Sequence, residues 1–267
     1  MNRAQLIEQI QLKRSFLCIG LDSDPVKIPV HLQQEADPVF SFNKAIIDAT
    51  RDLCVSYKIN TAFYEANGAA GWTTMQKTLE YIGKSHLVIA DAKRGDIGNT
   101  SELYARAFFD TLSFDAITVA PYMGSDSVKP FLKWSDKWTI LLGLTSNEGA
   151  SDFELQPSGE EMLYERVIRT AAQWGNEGNL MFVVGATRAE SFAQVRRLVP
   201  DHFLLVPGVG AQGGSLAEVF RHGKNKDVGL LINVSRAVIF ASSDEDFATS
   251  ARAAALSHQQ EMDALLG

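Results

Sequence analysis

The sequence predicts an α/β protein, a (β/α)₈ barrel that forms a single domain over residues 1–267. Three observations favour this fold class. The length fits the roughly 250 residues typical of such barrels, short apolar runs recur along the chain, and helix-period segments separate them. Hydrophobic residues make up 46% of the chain and charged residues 21%, which excludes general disorder. Because periodicity does not decide whether a sheet closes, a doubly wound open sheet remains the alternative.

The apolar runs are interpreted as parallel strands. They are nearly continuous in Val, Ile and Leu, as expected when helices cover both faces of a sheet. The predicted strands span residues 16–22, 55–60, 86–93, 116–120, 138–144, 180–185, 203–207 and 229–234. This order of strands and intervening helical segments is the pattern of repeated βα units.

Amphipathic segments between the runs are predicted as helices. The first spans residues 37–53, where Asp37 serves as the N-cap and Pro38 as the first helical residue. The others span residues 100–112, 159–174 and 189–198, and a further helix-like segment spans residues 216–221. A long polar connection over residues 146–158 has the length of a functional lid, and a surface insertion explains it equally well.

Composition excludes several classes of function. The net charge of −7 argues against nucleic-acid binding, which needs a clustered basic face. No segment approaches the roughly 18 apolar residues of a membrane span. Two cysteines, Cys18 and Cys54, lie in apolar runs and are expected to be reduced thiols of a cytoplasmic protein. The five histidines are dispersed without metal-ligand spacing, so we expect neither a metal nor a cofactor.

Charged residues cluster where three predicted strands end. Asp22 follows the first strand, Lys58 lies near the end of the second, and Asp91, Lys93 and Asp96 lie at the end of the third. Residues two apart on a strand face the same way, so Asp91 and Lys93 are expected on one face. Active sites of these barrels lie at the carboxyl ends of the strands. The cluster therefore predicts a site that positions a proton donor.

A second group of residues is typical of a phosphate site. A glycine-rich loop over residues 207–214 follows the seventh strand, and Arg236 follows the eighth. Glycines let backbone N–H groups approach an anion, and a guanidinium forms paired hydrogen bonds with phosphate. Phosphate sites of this fold are frequently built from these two loops. A phosphorylated small molecule is therefore the expected substrate.

The segment Asp91-Ala92-Lys93-Arg94-Gly95-Asp96-Ile97-Gly98-Asn99-Thr100 resembles the signature of the orotidine 5′-phosphate decarboxylase family, whose core is Asp-x-Lys-x-x-Asp. Residues 57–60, 207–212 and 233–236 fit the same family at the expected places. The resemblance covers residues 16 to about 240. It implies a cytoplasmic, cofactor-independent carboxy-lyase on a (β/α)₈ barrel. The implied reaction converts orotidine 5′-monophosphate to uridine 5′-monophosphate and carbon dioxide, the last step of pyrimidine (UMP) biosynthesis.

The resemblance also implies catalytic roles. Asp91 resembles the carboxylate beside the scissile carboxyl group, and Lys93 the lysine that stabilises and protonates the C6 carbanion. The family forms homodimers, in which Asp96, Ile97 and Thr100 resemble residues given to the partner subunit's site.

Further roles concern substrate binding. Asp22 and Lys58 resemble the residues that hold the ribose, and Ser146 the serine that touches the pyrimidine. The remaining matches resemble residues that bind the phosphate, and they are Gly208, Gly210, Gln212 and Arg236. Gln212 also resembles the amide that contacts the base. Some family members have a phosphate-binding Tyr in the loop after the seventh strand, whereas this loop has only small residues and Gln212.

Two other functions remain as alternatives. Sugar-phosphate synthases and decarboxylases of the same superfamily share the Asp-x-Lys-x-x-Asp core, but they use magnesium and have an acidic residue two positions before it. That position is Ile89 here, which counts against them. A non-catalytic sensor of phosphorylated ligands is the third possibility, and the intact set of charged residues argues against it.

Overall fold

The computed structural model describes residues 1–186, 189–209 and 214–267, and at Ala189 the backbone alone. Within this part of the chain, eight parallel strands follow one another in chain order around a closed barrel, which confirms the predicted fold class. They are β1 Leu17–Gly20, β2 Ser56–Asn60, β3 Leu87–Arg94, β4 Ala116–Val119, β5 Trp138–Leu144, β6 Leu180–Val184, β7 Leu204–Pro207 and β8 Leu230–Val234. Each lies at a predicted run, with its ends shifted by no more than one or two residues.

Longer helices separate or flank most of the strands. They are α1 Arg3–Lys13, α2 Pro38–Thr50, α3 Gly68–Ile82, α4 Gly98–Arg106, α5 Leu163–Ala171, α6 Ala189–Leu198, α7 Leu216–Gly223 and α8 Phe247–Leu266. Short helical turns at Ala62–Glu65, Ser125–Val128 and Arg236–Ile239 complete the connections. The cap predicted for α2 is present, because the Asp37 carboxylate accepts a hydrogen bond from the Phe40 N–H at 3.2 Å.

The prediction over residues 159–174 is wrong at its start. The chain first forms a hairpin that pairs Pro157–Ser158 with Glu161–Met162, and its turn needs the φ of 74° found at Gly159. The α5 helix begins after it, where the Glu165 carboxylate accepts from the Met162 N–H at 2.8 Å. The helices α1, α3 and α8 lie where the sequence analysis assigned none.

The chain divides into two compact parts. The first comprises Arg3–Ala92 and Val234–Gly267. In it, α2 packs against α8, and Phe42 stacks on Phe247 with ring centroids 5.3 Å apart. β1 pairs with β2 and β2 with β3 in regular parallel register. This part therefore places the ends of β1 and β2 beside residues 87–92 of β3.

The second compact part is Lys93–Asn233. Its strands β4 and β5 pair in parallel, as do β5 with β6, β6 with β7, and β7 with β8. Large aromatic side chains fill its core, among them Trp138, Phe182 and Phe203, all fully buried. One arginine side chain links several backbone segments of this part. The Arg196 guanidinium donates hydrogen bonds to the carbonyls of Val199, His202, Gly223 and Gly229.

Candidate active site

Three of the predicted site residues meet at the carboxyl ends of β1–β3. The Lys58 Nζ lies 2.9 Å from Asp91 Oδ2 and 3.2 Å from Asp22 Oδ1. The Lys58 side chain is 5% exposed, whereas Asp22 and Asp91 keep 19% and 11%. These ion pairs join the three charges into one cluster.

Electrostatics keep Lys58 in its cationic form. Burial alone would lower the pKa of Lys58, but the carboxylates of Asp91 and Asp22 outweigh burial and raise the pKa above its usual value. A lysine ammonium has three N–H donors, and two of them are directed to these carboxylates. The cluster thus combines two carboxyl side chains with one ammonium.

A buried polar network fixes the chain on both sides of Asp22. The Ser23 hydroxyl donates to Asn43 Oδ1 at 2.6 Å, and the Asn43 amide donates to the Tyr64 hydroxyl at 2.9 Å. The Tyr64 hydroxyl in turn donates to the Leu21 carbonyl at 3.1 Å. Sequence reasoning missed Asn43 and Tyr64, since nothing in their local sequence shows that the fold brings them to the end of β1.

The end of β3 departs from regular strand geometry. Lys93 has a φ of 46°, in the left-handed region, and its side chain is exposed in the single chain. The extended backbone of β3 is therefore interrupted at Lys93. Asp96 follows in the connection, where its carboxylate accepts from the Ile97 N–H at 2.7 Å, and Thr100 lies exposed in the first turn of α4.

Ser146 lies just beyond β5, against the end of β6. A Cβ atom built on Gly185 would come within 2.7 Å of the Ser146 Cβ, so the close approach requires glycine there. Glu154 fixes the preceding residue: its carboxylate accepts from the Thr145 N–H at 2.6 Å and from the Thr145 hydroxyl at 2.9 Å. Sequence reasoning missed Glu154, whose role depends on how the 146–158 connection folds back.

That connection is internally structured. It contains a 3₁₀ turn over Glu148–Asp152 and one strand of the Pro157–Ser158 hairpin. The Phe153 side chain is exposed on it.

The predicted phosphate residues are only partly described. Gly208 follows β7 with a φ of 96°, a conformation that glycine adopts readily. Gly210 and Gln212 lie outside the described residues. Arg236 begins the short helical turn after β8, and its side chain is exposed.

Comparison with known proteins identifies the family. The sequence model of the family described as "Orotidine 5'-phosphate decarboxylase / HUMPS family" matches residues 15–251. The chain belongs to this family. The match covers all eight strands, so it includes each of the site residues placed above.

Curated relatives of the family are similar over nearly their whole length. An orotidine 5′-phosphate decarboxylase of Flavobacterium johnsoniae is 59% identical, over 98% of this chain and 97% of that protein. One of Phocaeicola vulgatus is 54% identical, over 100% and 99%. Among solved structures, the OMP decarboxylase of Leishmania donovani has a TM-score of 0.85 and 36% identity, covering 99% of each chain.

The described residues show no metal site and no membrane span. No three His, Cys, Asp or Glu side chains come together there in a way that would hold a metal ion. In the same residues, no helix is both long and apolar enough to cross a bilayer.

Proposed function

We propose that this chain removes carbon dioxide from orotidine 5′-monophosphate, without a cofactor, and that Lys93 protonates the product at C6. Family membership and the relatives at 53–59% identity support the decarboxylase reaction. The observation that carries the proposal is the buried ion cluster of Lys58 with Asp22 and Asp91, which ends two residues before Lys93 on β3. We also propose that residues 1–267 act as one catalytic domain, located in the cytoplasm.

The reaction leaves an electron pair on a carbon that has no carbonyl beside it. The C6–carboxyl bond breaks, carbon dioxide leaves, and the pair stays at C6 until the Lys93 Nζ supplies a proton. An ammonium interacts more strongly with a localised carbanion than with a delocalised carboxylate, and this difference lowers the barrier. Asp91, together with an Asp96 supplied across the proposed dimer interface, serves to hold the Lys93 ammonium in place. Water then reprotonates the neutral amine.

The ion cluster also fits the proposed ribose site. Asp22 and Lys58 occupy adjacent strand ends, and the described residues supply acceptors for two of the three N–H donors of Lys58. The third donor and the partly exposed Asp22 carboxylate suit two neighbouring hydroxyl groups. We assign phosphate binding to Gly208, Gly210, Gln212 and Arg236. We assign contact with the pyrimidine to Ser146. The grip on the remote phosphate orients the base for reaction.

The metal-dependent alternative within the family has weaker support. Its acidic residue would lie at position 89, where this chain has an isoleucine that is fully buried on β3. An aliphatic side chain offers a cation no oxygen ligand.

The decisive assay follows consumption of orotidine 5′-monophosphate by ultraviolet absorbance. We expect turnover by the wild-type chain in the presence of a chelator. Lys93→Ala should lose nearly all turnover, yet still bind uridine 5′-monophosphate. Wild-type protein without turnover, or turnover that the chelator abolishes, would contradict the reaction. More than a few per cent of activity in Lys93→Ala would contradict the role of Lys93.

We further propose a homodimer in which Asp96, Ile97 and Thr100 complete the partner subunit's site. Apolar side chains lie exposed just after β3 and β4, including Ile97 at 56% and Tyr122 at 90%. The two segments are joined, because the Ser101 hydroxyl donates to the Ser127 carbonyl at 2.6 Å. Exposed apolar groups concentrated in one region are typical of an interface.

A mixing experiment tests this arrangement. Lys93→Ala and Asp96→Ala proteins, each inactive alone, should regain activity when their subunits exchange, because one hybrid site then has both residues. Failure to regain activity, after exchange has been verified by mass spectrometry, would contradict the shared site.

A further inference from the structure

The backbone of Lys93 is held in an unusual conformation. Four non-glycine residues of the described chain have positive φ, namely Arg14, Lys93, Ser113 and Val228. Three of them lie in connections that lead into a strand, whereas Lys93 lies within β3. The left-handed conformation is unfavourable for a residue with a Cβ, so the surrounding structure must stabilise it.

One side chain contacts the Lys93 backbone directly. The Lys93 N–H donates to the Thr118 hydroxyl oxygen at 2.9 Å. On the next residue, the Arg94 carbonyl accepts from the Ala120 N–H at 2.8 Å. A main-chain hydrogen bond thus follows one residue after Lys93, whereas the N–H of Lys93 itself has a threonine hydroxyl as its acceptor.

Thr118 is placed to do this with little freedom of movement. It is 1% exposed on β4, between Ile117 and Val119, in a strand whose four residues are all buried. A β-branched side chain on a strand has few accessible rotamers, so its hydroxyl has a fixed direction.

We propose that Thr118 is a positioning residue for Lys93, through the hydrogen bond from the Lys93 N–H to its hydroxyl. Rotation about the N–Cα bond redirects a side chain relative to the strand before it, and the Nζ lies far from the rotated bond. A small change in backbone conformation therefore moves the ammonium by a large distance. Misplacement by about 1 Å is enough to cost a hundredfold in rate. This inference rests on the proposed role of Lys93.

The test compares Thr118→Val, Thr118→Ala and Thr118→Ser. Valine and alanine remove the acceptor, and serine keeps it. We expect kcat to fall about ten- to a hundredfold in the valine and alanine variants, with KM changed less than threefold. The serine variant should recover to within about threefold of wild type. Thermal unfolding checks that each variant is folded, and if valine does not fold, alanine and serine decide.

A matched control is available on the neighbouring strand. Thr139 on β5 is also 1% exposed, and its hydroxyl has no hydrogen-bond partner among the described residues. Thr139→Val makes the same chemical change without removing an acceptor, so kcat and KM should stay at wild-type values.

Two results would overturn the inference. One is wild-type kcat in the folded valine or alanine variant. The other is an equal loss of kcat in Thr118→Ser or Thr139→Val. Failure of the proposed function is distinguishable, because the wild-type chain itself would then show no turnover.

Discussion

Two lysines, Lys58 buried and Lys13 half-buried, lie at opposite ends of the same strands and have opposite surroundings. Lys58 lies at the carboxyl end of β2, between Asp22 and Asp91. Lys13 ends α1 and reaches the connections that lead into β2 and β3. Its Nζ donates to the Arg51 and Cys54 carbonyls, each at 2.8 Å, and contacts His86 Nε2 at 2.9 Å.

This difference in surroundings indicates a different role for each end of the strands. Carboxylates raise the pKa of Lys58 in spite of its burial, whereas burial lowers the pKa of Lys13, whose direct partners are uncharged. Carbonyl partners satisfy hydrogen bonds and tie three chain segments together, but they do not compensate the charge. In barrels of this kind the carboxyl ends of the strands carry function and the amino ends carry stability.

The largest expected effect comes from removing Lys58. Lys58→Met leaves Asp22 and Asp91 without the cation that lies between them. The two carboxylates then repel each other, which disturbs the positions of both side chains in the site. We expect kcat/KM for orotidine 5′-monophosphate to fall about a thousandfold, equivalent to about 4 kcal/mol. Steady-state kinetics by ultraviolet absorbance measure the change.

Lys13→Met is the control that sharpens this comparison. It removes the Lys13 hydrogen bonds to the Arg51 and Cys54 carbonyls, so unfolding in urea should show a loss of about 2 kcal/mol in stability. The value of kcat/KM should stay within about twofold of wild type. A large loss of activity in Lys13→Met, or near-normal activity in Lys58→Met, would remove the distinction between the two ends.

The next effect is the dependence of stability on pH at the Lys13 end. His86 is buried, its Nδ1 contacts the Ser85 hydroxyl at 2.9 Å, and its ring lies 5.1 Å from that of Tyr57. Burial, followed by the charge of Lys13, lowers the pKa of His86 to about 4. In the unfolded chain a histidine titrates near 6.5. As pH falls from about 6.5 to 4, the unfolded state therefore binds more protons, and the folded state loses up to about 3 kcal/mol.

This prediction is checked by urea unfolding between pH 4 and 7.5. His86→Gln removes the titrating group and keeps hydrogen-bonding atoms, so its stability should fall less steeply over this range. Equal pH dependence in the two proteins would show that His86 does not carry the effect.

The strands were predictable because burial on both faces leaves nearly continuous apolar runs, as in β5, whose predicted and observed limits coincide at Trp138–Leu144. Strand ends then placed Asp22, Lys58 and Asp91 near one another. The start of α5 was not predictable in the same way, since the hairpin turn at Gly159 interrupts a helix-like pattern.

Other features depend on partners distant in sequence. Nothing local to Thr118 indicates that its hydroxyl accepts the Lys93 N–H, 25 residues away. Glu154 likewise lies in a polar stretch, where the local sequence does not distinguish a structural carboxylate from a solvated one. Its hydrogen bond to Thr145 forms only because the chain folds back there. The helix α3 was missed for another reason: half of its buried face consists of Gly71, Thr74 and Thr78, which are neither strongly apolar nor good helix formers.

The smallest expected effect concerns an exposed ion pair beside the Lys13 contacts. Arg252 on α8 forms two hydrogen bonds of 2.7 Å with the Asp52 carboxylate, one residue after the Arg51 carbonyl that Lys13 contacts. Both side chains are about half exposed, so water and salt compete with the pair. Arg252→Ala should cost less than about 1 kcal/mol in urea unfolding, and the cost should shrink in about 1 M NaCl. A larger, salt-independent loss would mean that this end of the barrel depends on charge pairing as the Lys58 end does.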